Sequence, residues 1–255
     1  EKMGSSLLKR LELETELRHA IERGQLELHF QPEIDLATNR IVAAEALVRW
    51  NHPEFGAVSP NTFIPLAEET GLILEIGLWV LREAVRSTVR WLEEMPGLDL
   101  TVSVNLSVRQ YLHPGIVDDV ASVLRETGID AHRLRLEITE TILMDDKASS
   151  RAVLQQLNSL GIQLAIDDFG SGYSNLGYLK RLPVQTLKID QIFIKGLAHD
   201  RHDSAIVAAI TNLAHQIGLR VTAEGVESIE QMEKVRAIGC DFAQGYFFAR
   251  PMSGS

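Results

Sequence analysis

Residues 162–190, IQLAIDDFGSGYSNLGYLKRLPVQTLKID, constrain the fold of this chain more than any other stretch. An apolar run ends at two adjacent aspartates, Asp167 and Asp168, and a glycine-punctuated loop follows it. A short helical pattern then leads to a second apolar run that carries Lys188 and Asp190. This order is typical of a βαβ unit with its chemistry at the carboxyl end of the first strand. On its own, Asp168 could equally cap the next helix.

The same alternation of apolar strands and amphipathic helices recurs along the whole chain. Strands are predicted at 26–34, 41–50, 100–106, 134–138, 162–166, 186–190, 219–223 and 240–244, and helices at 5–23, 61–70, 75–94, 115–127, 146–160, 203–217 and 228–238. Eight strands, most of them separated by helices, predict an α/β fold of the (β/α)8 barrel type. Residues 35–40 are too few for a crossover, so the first two strands should be antiparallel and the barrel should contain one reversed strand.

Composition and charge exclude several classes of protein. The chain has 255 residues and a net charge of −10, and the acidic balance argues against a binder of nucleic-acid polymers. Cys240 is the only cysteine, which excludes an intrachain disulfide and a cysteine-based zinc site. No apolar run approaches the length of a membrane span and no signal peptide opens the sequence. We therefore expect a cytoplasmic domain that makes no membrane contact of its own.

The chain is predicted to contain three segments. Residues 1–21 are interpreted as a lead-in helix or linker from a longer, multi-domain protein, because their charged helix has no core of its own. Residues 22–252 form the principal domain, and residues 253–255 form a tail outside the fold.

Polar side chains occur in or at the end of strand after strand. Glu45 alone would be expected to face solvent, since a buried carboxylate needs a partner. Solvent exposure does not explain why polar residues recur in so many of the predicted strands. The carboxyl ends of barrel strands converge on one mouth, where these residues would meet. The converging residues are Glu45, Asn105, Glu137, Asp167, Lys188, Glu224 and Gln244.

The chemistry of this set points to divalent cations. With Asp168 included, five carboxylates crowd one mouth and have Lys188 as their counter-charge: Glu45, Glu137, Asp167, Asp168 and Glu224. Such a cluster repels itself at pH 7 unless it binds cations. Oxygen donors, with the Asn105 carbonyl among them, suit Mg²⁺ or Mn²⁺ better than zinc. Two such ions that share a carboxylate are the usual machinery of phosphodiester hydrolysis. Asp167 is the natural bridging position, and Lys188 could orient a water or neutralise phosphate.

Other motifs fail for lack of context. Residues 168–170 spell the metal-binding triplet of protein kinases, but no glycine-rich nucleotide loop or His-Arg-Asp loop accompanies them. Residues 170–172 lack the third glycine of a dinucleotide fold, and no GxxxxGK[ST] motif is present.

At these positions the sequence resembles the EAL domains, which are cyclic di-GMP phosphodiesterases. Residues 45–50, Glu-Ala-Leu-Val-Arg-Trp, match the name-giving signature. The match runs from about residue 22 to residue 252 and includes Gln31-Pro32, Asn105-Leu106-Ser107, Glu137-Ile138-Thr139-Glu140, Asp167-Asp168-Phe169-Gly170, Lys188-Ile189-Asp190, Glu224-Gly225-Val226-Glu227 and Gln244-Gly245.

The resemblance implies a role for each matched residue. It implies a first metal held by Glu45, Asn105, Glu137 and Asp167, and a second held by Asp167, Asp168 and Glu224. It implies that Lys188 contacts the catalytic water, that Glu140 pins the loop at 169–178 behind Asp168, and that Gln31, Leu47, Arg49, Glu227 and Gln244 contact or support the substrate.

The resemblance also implies an activity and partners. The expected reaction cuts one 3′-phosphodiester bond of cyclic di-GMP to give linear pGpG, with two Mg²⁺ or Mn²⁺ ions per active site. A homodimer and an upstream diguanylate cyclase or sensor domain are also expected. The alternatives are a silent receptor that binds cyclic di-GMP without cutting it, and a scaffold that serves only partner contacts.

Overall fold

The computed structural model describes residues 2–140, 148–170 and 179–254. Its strands are β1 Leu26–Asp35, β2 Ile41–His52, β3 Gly56–Val58, β4 Thr101–Leu106, β5 Leu134–Thr139, β6 Gln163–Phe169, β7 Thr186–Ile189, β8 Arg220–Ala223, β9 Phe242–Ala243 and β10 Met252–Ser253. Its helices are α1 Lys2–Arg18, α2 Pro60–Thr70, α3 Ile73–Glu94, α4 Val108–Tyr111, α5 Ile116–Thr127, α6 Ala148–Ser159, α7 Gln191–Lys195, α8 Arg201–Gln216 and α9 Ile229–Ile238.

Eight of these strands close into a barrel. The ring runs β1, β2, β4, β5, β6, β7, β8, β9 and back to β1, while β3 and β10 extend it at the edges of β2 and β1. β1 is antiparallel to both of its ring neighbours, and the other ring pairs are parallel. The predicted barrel with one reversed strand is therefore confirmed.

The N-terminal helix ends earlier than its sequence pattern indicated. α1 stops at Arg18, whereas the prediction ran to residue 23, and residues 19–24 form tight turns that end at Gly24 with φ of 63°. A predicted start at residue 146 for α6 lies outside the described residues, as do residues 171–178, which include most of the loop and the short helix expected after Asp168. Among the helices that the structure describes, none combines the length and apolar character that crossing a membrane requires.

Both ends of the described chain pack into the fold. In and just after α1, Leu17 and Ala20 are buried in the hydrophobic core, and α1 packs against α2. At the other end, β10 pairs with β1, and the carbonyl of Gly254 accepts a hydrogen bond from Trp91 Nε1 at 3.0 Å. The strand pairing and this hydrogen bond hold Ser253 and Gly254 of the predicted tail against the barrel, and the division into three segments stays a prediction. The core likewise begins before residue 22.

The strands bury two different kinds of side chain. Successive residues of a strand point to opposite faces, so one set faces the helices and the other faces the barrel interior. On β5, Leu134, Leu136 and Ile138 join the hydrophobic core, whereas the alternating Arg135 and Glu137 are also buried. The interior of this barrel therefore carries charged groups, which must find partners inside it.

Candidate active site

A buried lysine lies at the centre of the barrel mouth. The side chain of Lys188, on β7, is 0% exposed, and its Nζ lies 2.5 Å from Glu137 Oε2 and 2.7 Å from Glu224 Oε1. The same nitrogen lies 3.4 Å from Glu45 Oε2 and 3.4 Å from Asp167 Oδ1. Residues from β2, β5, β6 and the end of β8 thus converge on one ammonium group, as the pattern of polar strand residues predicted.

Amide side chains complete the shell around Glu45. Asn105 Nδ2 donates to Glu45 Oε1 at 2.7 Å, and Gln244 Nε2 donates to Glu45 Oε2 at 2.7 Å. Gln244 Nε2 also donates to Gln31 Oε1 at 3.1 Å, and Gln31 Nε2 donates to the carbonyl of Ala249 at 3.0 Å. This chain of bonds links β2, β4, the residue that follows β9, and β1, and it fixes the carboxylate of Glu45.

A second acidic group lies beside the lysine. Asp167, Asp168 and Glu224 each offer a carboxylate oxygen, and these oxygens lie within 4.8 Å of one another. The backbone of Asp168 has φ of 54°, a left-handed conformation that is uncommon outside glycine but tolerated by aspartate. Glu140 Oε2 accepts a hydrogen bond from the amide of Gly170 at 3.1 Å, two residues after Asp168. The turn that carries Asp168 is therefore held by the residue that directly follows β5.

Burial and crowding change the pKa of several of these groups. Burial, Glu45 and Asp167 raise the pKa of Glu137 to about 8, although Lys188 acts against them. Burial and then Asp167 raise the pKa of Asp168 to about 6, and burial leaves the pKa of Glu224 well above its usual range.

The pKa of the other two central groups moves in favour of the charged form. Burial opposes the ionisation of Glu45, but Lys188, Gln244 and Asn105 outweigh it, so the pKa of Glu45 lies below its usual value. Burial likewise opposes the charge on Lys188, but the surrounding carboxylates, Asp167 foremost, raise its pKa well above the ordinary value. The mouth therefore holds a charged lysine and an ionised Glu45 beside three carboxyl groups whose pKa is raised, those of Glu137, Asp168 and Glu224.

A cleft of about 250 Å³ opens over the mouth. Its walls include Gln31, Leu47, Glu227 and Gln244, four of the five predicted substrate residues. Arg49 lies on the same face of β2 as Leu47 but does not line this cleft, and its Nη1 donates to the carbonyl of Val48 at 3.0 Å.

Two further residues of the cleft were not singled out from the sequence. Gln191 and Tyr246 line it, and the guanidinium of Arg250 lies 4.5 Å from the centre of the Tyr246 ring. Each directly follows a motif, Lys188-Ile189-Asp190 in one case and Gln244-Gly245 in the other. Their position next to these motifs could have identified both residues as candidates for the cleft.

The model of the EAL domain family matches residues 14–251 of this chain. The chain belongs to the EAL domain family. Similar EAL relatives include the bifunctional diguanylate cyclase/cyclic di-GMP phosphodiesterase MucR of Pseudomonas aeruginosa, 45% identical over 98% of this chain and 36% of that protein. The cyclic di-GMP phosphodiesterase NbdA of the same organism is 42% identical over 95% of this chain and 31% of that protein. The chain thus spans about a third of the length of these relatives.

A solved EAL structure has the same fold and a ligand. The structure described as the PaMucR phosphodiesterase in complex with c-di-GMP superposes with a TM-score of 0.91. The two chains are 46% identical, and the match covers 95% of this chain and 98% of that one. The EAL domain of DcpA from Mycobacterium smegmatis superposes with a TM-score of 0.76 at 38% identity, over 91% of this chain and 93% of that one.

Proposed function

We propose that this chain hydrolyses cyclic di-GMP to linear pGpG by cutting one 3′-phosphodiester bond. The observation that carries the proposal is the buried Lys188 within 3.4 Å of four carboxylates at the barrel mouth. An EAL relative, MucR, is named a cyclic di-GMP phosphodiesterase, and its solved domain is a complex with that nucleotide. NbdA carries the same named activity.

The acidic residues suit two divalent cations. Glu45, Asn105, Glu137 and Asp167 would hold the first, and Asp167, Asp168 and Glu224 the second. All of these donors are oxygens, which favours Mg²⁺ or Mn²⁺. When ionised, the five carboxylates less the charge of Lys188 leave four negative charges, which two divalent cations would balance. When bound, such cations supply Lewis acidity toward the phosphodiester.

The chain's own groups bind and orient the reactants. Lys188 keeps its proton on Nζ and would donate a hydrogen bond to the attacking water. Glu140 would keep Asp168 in place through the amide of Gly170, to which it is bonded at 3.1 Å. We further propose that Gln31, Leu47, Arg49, Glu227 and Gln244 contact or support the nucleotide, with Gln191 and Tyr246 beside them at the cleft.

The test is nucleotide chromatography after incubation with cyclic di-GMP and Mg²⁺ or Mn²⁺, with and without a chelator. We expect pGpG to form and the chelator to stop it. Asp168→Asn removes a charge that the second cation needs but keeps a residue that tolerates positive φ, so it should fold and lose at least about 100-fold in rate. The exposed Asp130→Asn is the matched control and should keep full activity. Equal rates for the two variants would contradict the assignment.

The same experiment separates the enzyme from the receptor. A silent receptor would bind cyclic di-GMP and release no pGpG, and that result would replace our proposal. The homodimer, the upstream diguanylate cyclase or sensor domain and the cytoplasmic location stay predictions. MucR, whose name includes a cyclase activity, is an EAL relative consistent with the second of them.

A further inference from the structure

A buried ion pair lies inside the barrel, apart from the carboxylates that surround Lys188. Arg135 Nη1 on β5 donates to Glu33 Oε1 at 3.1 Å and to Glu33 Oε2 at 3.0 Å. The two residues are 4% and 2% exposed, so water does not screen this pair. Thr222 Oγ1 on β8 donates to Glu33 Oε2 at 3.1 Å. Three strands are thereby joined through one carboxylate.

Each member of this group lies two residues from a residue of the mouth. Arg135 precedes Glu137 by two positions on β5, and Thr222 precedes Glu224 by two at the end of β8. Because residues two apart on a strand share a face, the group forms a layer directly beneath the mouth. Glu33 stands in the same relation to Gln31 on the reversed strand β1.

The ion pair crosses the barrel interior. In the ring of strands, β2 and β4 separate β1 from β5 on the short side, and four strands separate them on the other. Small buried side chains lie in register beside the pair, with Ala43 opposite Glu33 and Ser103 next to Arg135. Barrel interiors are usually filled by bulky branched side chains, and here a charged bridge occupies that space.

We infer that Glu33 and Arg135 are a positioning pair for the metal-binding carboxylates, which they hold at the required height by bridging β1, β5 and β8 beneath Glu137 and Glu224. The inference rests on the proposed function. Because the pair is neutral as a whole, it adds no net charge to the mouth. The pair instead fixes β5 and β8 relative to each other. The next inward side chains of these strands, Glu137 and Glu224, would bind the first and the second cation. Residues that orient metal ligands without binding the metal typically affect metal affinity or activity by about 10–100-fold.

The test measures Mn²⁺ binding by calorimetry and by thermal shift, in the absence of nucleotide. The neutral double variant Glu33→Gln/Arg135→Met removes both charges and leaves no uncompensated one. We expect it to fold and to bind Mn²⁺ about 10–100-fold more weakly, with the rate of cyclic di-GMP hydrolysis recovering at high Mn²⁺ while KM for the nucleotide stays unchanged. Unchanged Mn²⁺ affinity in the folded variant would overturn the inference.

Two further variants keep the test decisive. The exchanged pair Glu33→Arg/Arg135→Glu rebuilds the bridge in reverse and should regain most of the lost Mn²⁺ affinity; affinity as low as that of the neutral variant contradicts the inference. If neither double variant folds, Arg135→Lys keeps the charge and loses the guanidinium geometry, so unchanged Mn²⁺ affinity there has the same meaning.

A surface pair provides the matched control. Arg86 Nη1 lies 2.8 Å from Glu83 Oε1 on the outside of α3, and Glu83→Gln/Arg86→Met should leave Mn²⁺ affinity unchanged. Binding of Mn²⁺ is read without catalysis. An unaltered chain that binds Mn²⁺ but produces no pGpG would therefore refute the proposed activity and still leave the positioning pair testable.

Discussion

At the scale of single residues, Lys188 supplies a positive charge at the centre of the mouth. Its ammonium is fully buried and has four carboxylates within 3.4 Å, so it reduces the repulsion that would otherwise oppose their gathering. The pKa of Glu137 nevertheless remains near 8, which shows that one lysine does not compensate all of them. The apo fold therefore depends strongly on this single cation.

Replacement of the lysine tests that dependence. Lys188→Met keeps most of the length of the side chain and removes its charge, which leaves buried carboxylates without a cationic partner. We expect the free energy of unfolding without metal to fall by about 3 kcal/mol and Tm by roughly 6–10 °C. Saturating Mn²⁺ should then raise Tm more in this variant than in the unaltered chain, because the ions supply the missing charge.

The matched control is Lys234→Met on α9. Lys234 Nζ donates only to the carbonyls of Leu197 and Ala198 in the described contacts, so its loss should lower stability far less and leave the response to Mn²⁺ unchanged. Thermal unfolding with and without Mn²⁺ measures both variants. If Lys188→Met and Lys234→Met had the same Tm without metal, Lys188 would not stabilise the metal-free fold as proposed.

Residue identities at the mouth could be predicted from the sequence, whereas the pairs beneath it could not. Glu45, Glu137, Asp167 and Glu224 each lie in or directly after an apolar run that is recognisable as a strand, and the barrel rule brings the carboxyl ends of such strands together. Glu33 and Arg135 are 102 positions apart, with Glu33 near the end of β1 and Arg135 near the start of β5. No local sequence pattern indicates their contact, because the contact depends on the positions of β1 and β5 in the closed barrel.

At the scale of elements, a short helix fixes the end of β4 just after Asn105. In the capping box of α4, Ser107 Oγ accepts from the amide of Gln110, and Gln110 Oε1 accepts from the amide of Ser107, both at 3.2 Å. Gln110 is buried against α3, where a Cβ on Gly77 would lie 1.8 Å from its Nε2. The close approach of α3 to this cap therefore requires a glycine.

Gly77→Ala tests this contact. Alanine favours an α-helix over glycine by about 1 kcal/mol, but here the added methyl group must displace Gln110. We expect a net loss of about 1–3 kcal/mol in the free energy of unfolding, measured by denaturant titration, because the clash outweighs the helix preference. Mn²⁺ affinity should also decrease, since the cap that follows Asn105 is disturbed.

Ser87→Ala, further along α3, is the control and should change stability by less than about 0.5 kcal/mol. If Gly77→Ala were more stable than the unaltered chain, α3 and α4 could move apart without loss of stability. The close packing of α3 against the capping box would then not require a glycine.

The positions of the longer elements followed from apolar runs and glycine stops, whereas the short interior elements β3, α4 and α7 were not predicted and the two chain ends were wrongly bounded. The helical pattern of α1 continues in sequence past Arg18, but the backbone of residues 19–24 turns to bring the chain to β1. β10 pairs only two residues with β1, at His29 and Phe30. A partner that distant in sequence decides the conformation of Met252 and Ser253, so no local pattern could reveal it.

At the scale of the whole molecule, the barrel is closed by its shortest ring strand. β9 contains only Phe242 and Ala243, yet it pairs with both β8 and the reversed β1. Cys240 lies two residues before it and is buried, with its Sγ 3.6 Å from Thr211 Oγ1 of α8. Burial raises the pKa of the Cys240 thiol to about 11. The only cysteine of the chain therefore reports on the closure of the barrel.

A thiol reagent at pH 8 tests whether closure and metal binding are linked. With a pKa near 11, only about one thiol in a thousand is ionised at pH 8, and burial blocks access as well, so the folded chain should react more than about 100-fold more slowly than the chain in denaturant. Mn²⁺ at about 100 times its dissociation constant stabilises the folded state by about 2.7 kcal/mol and should slow labelling through global opening about 100-fold. In denaturant Mn²⁺ should have no effect, which is the control. Fast labelling of the folded chain, or a labelling rate that Mn²⁺ does not change, would contradict this link. Either result would mean that β9 opens without disturbing the cation site, so that metal binding does not depend on closure of the barrel.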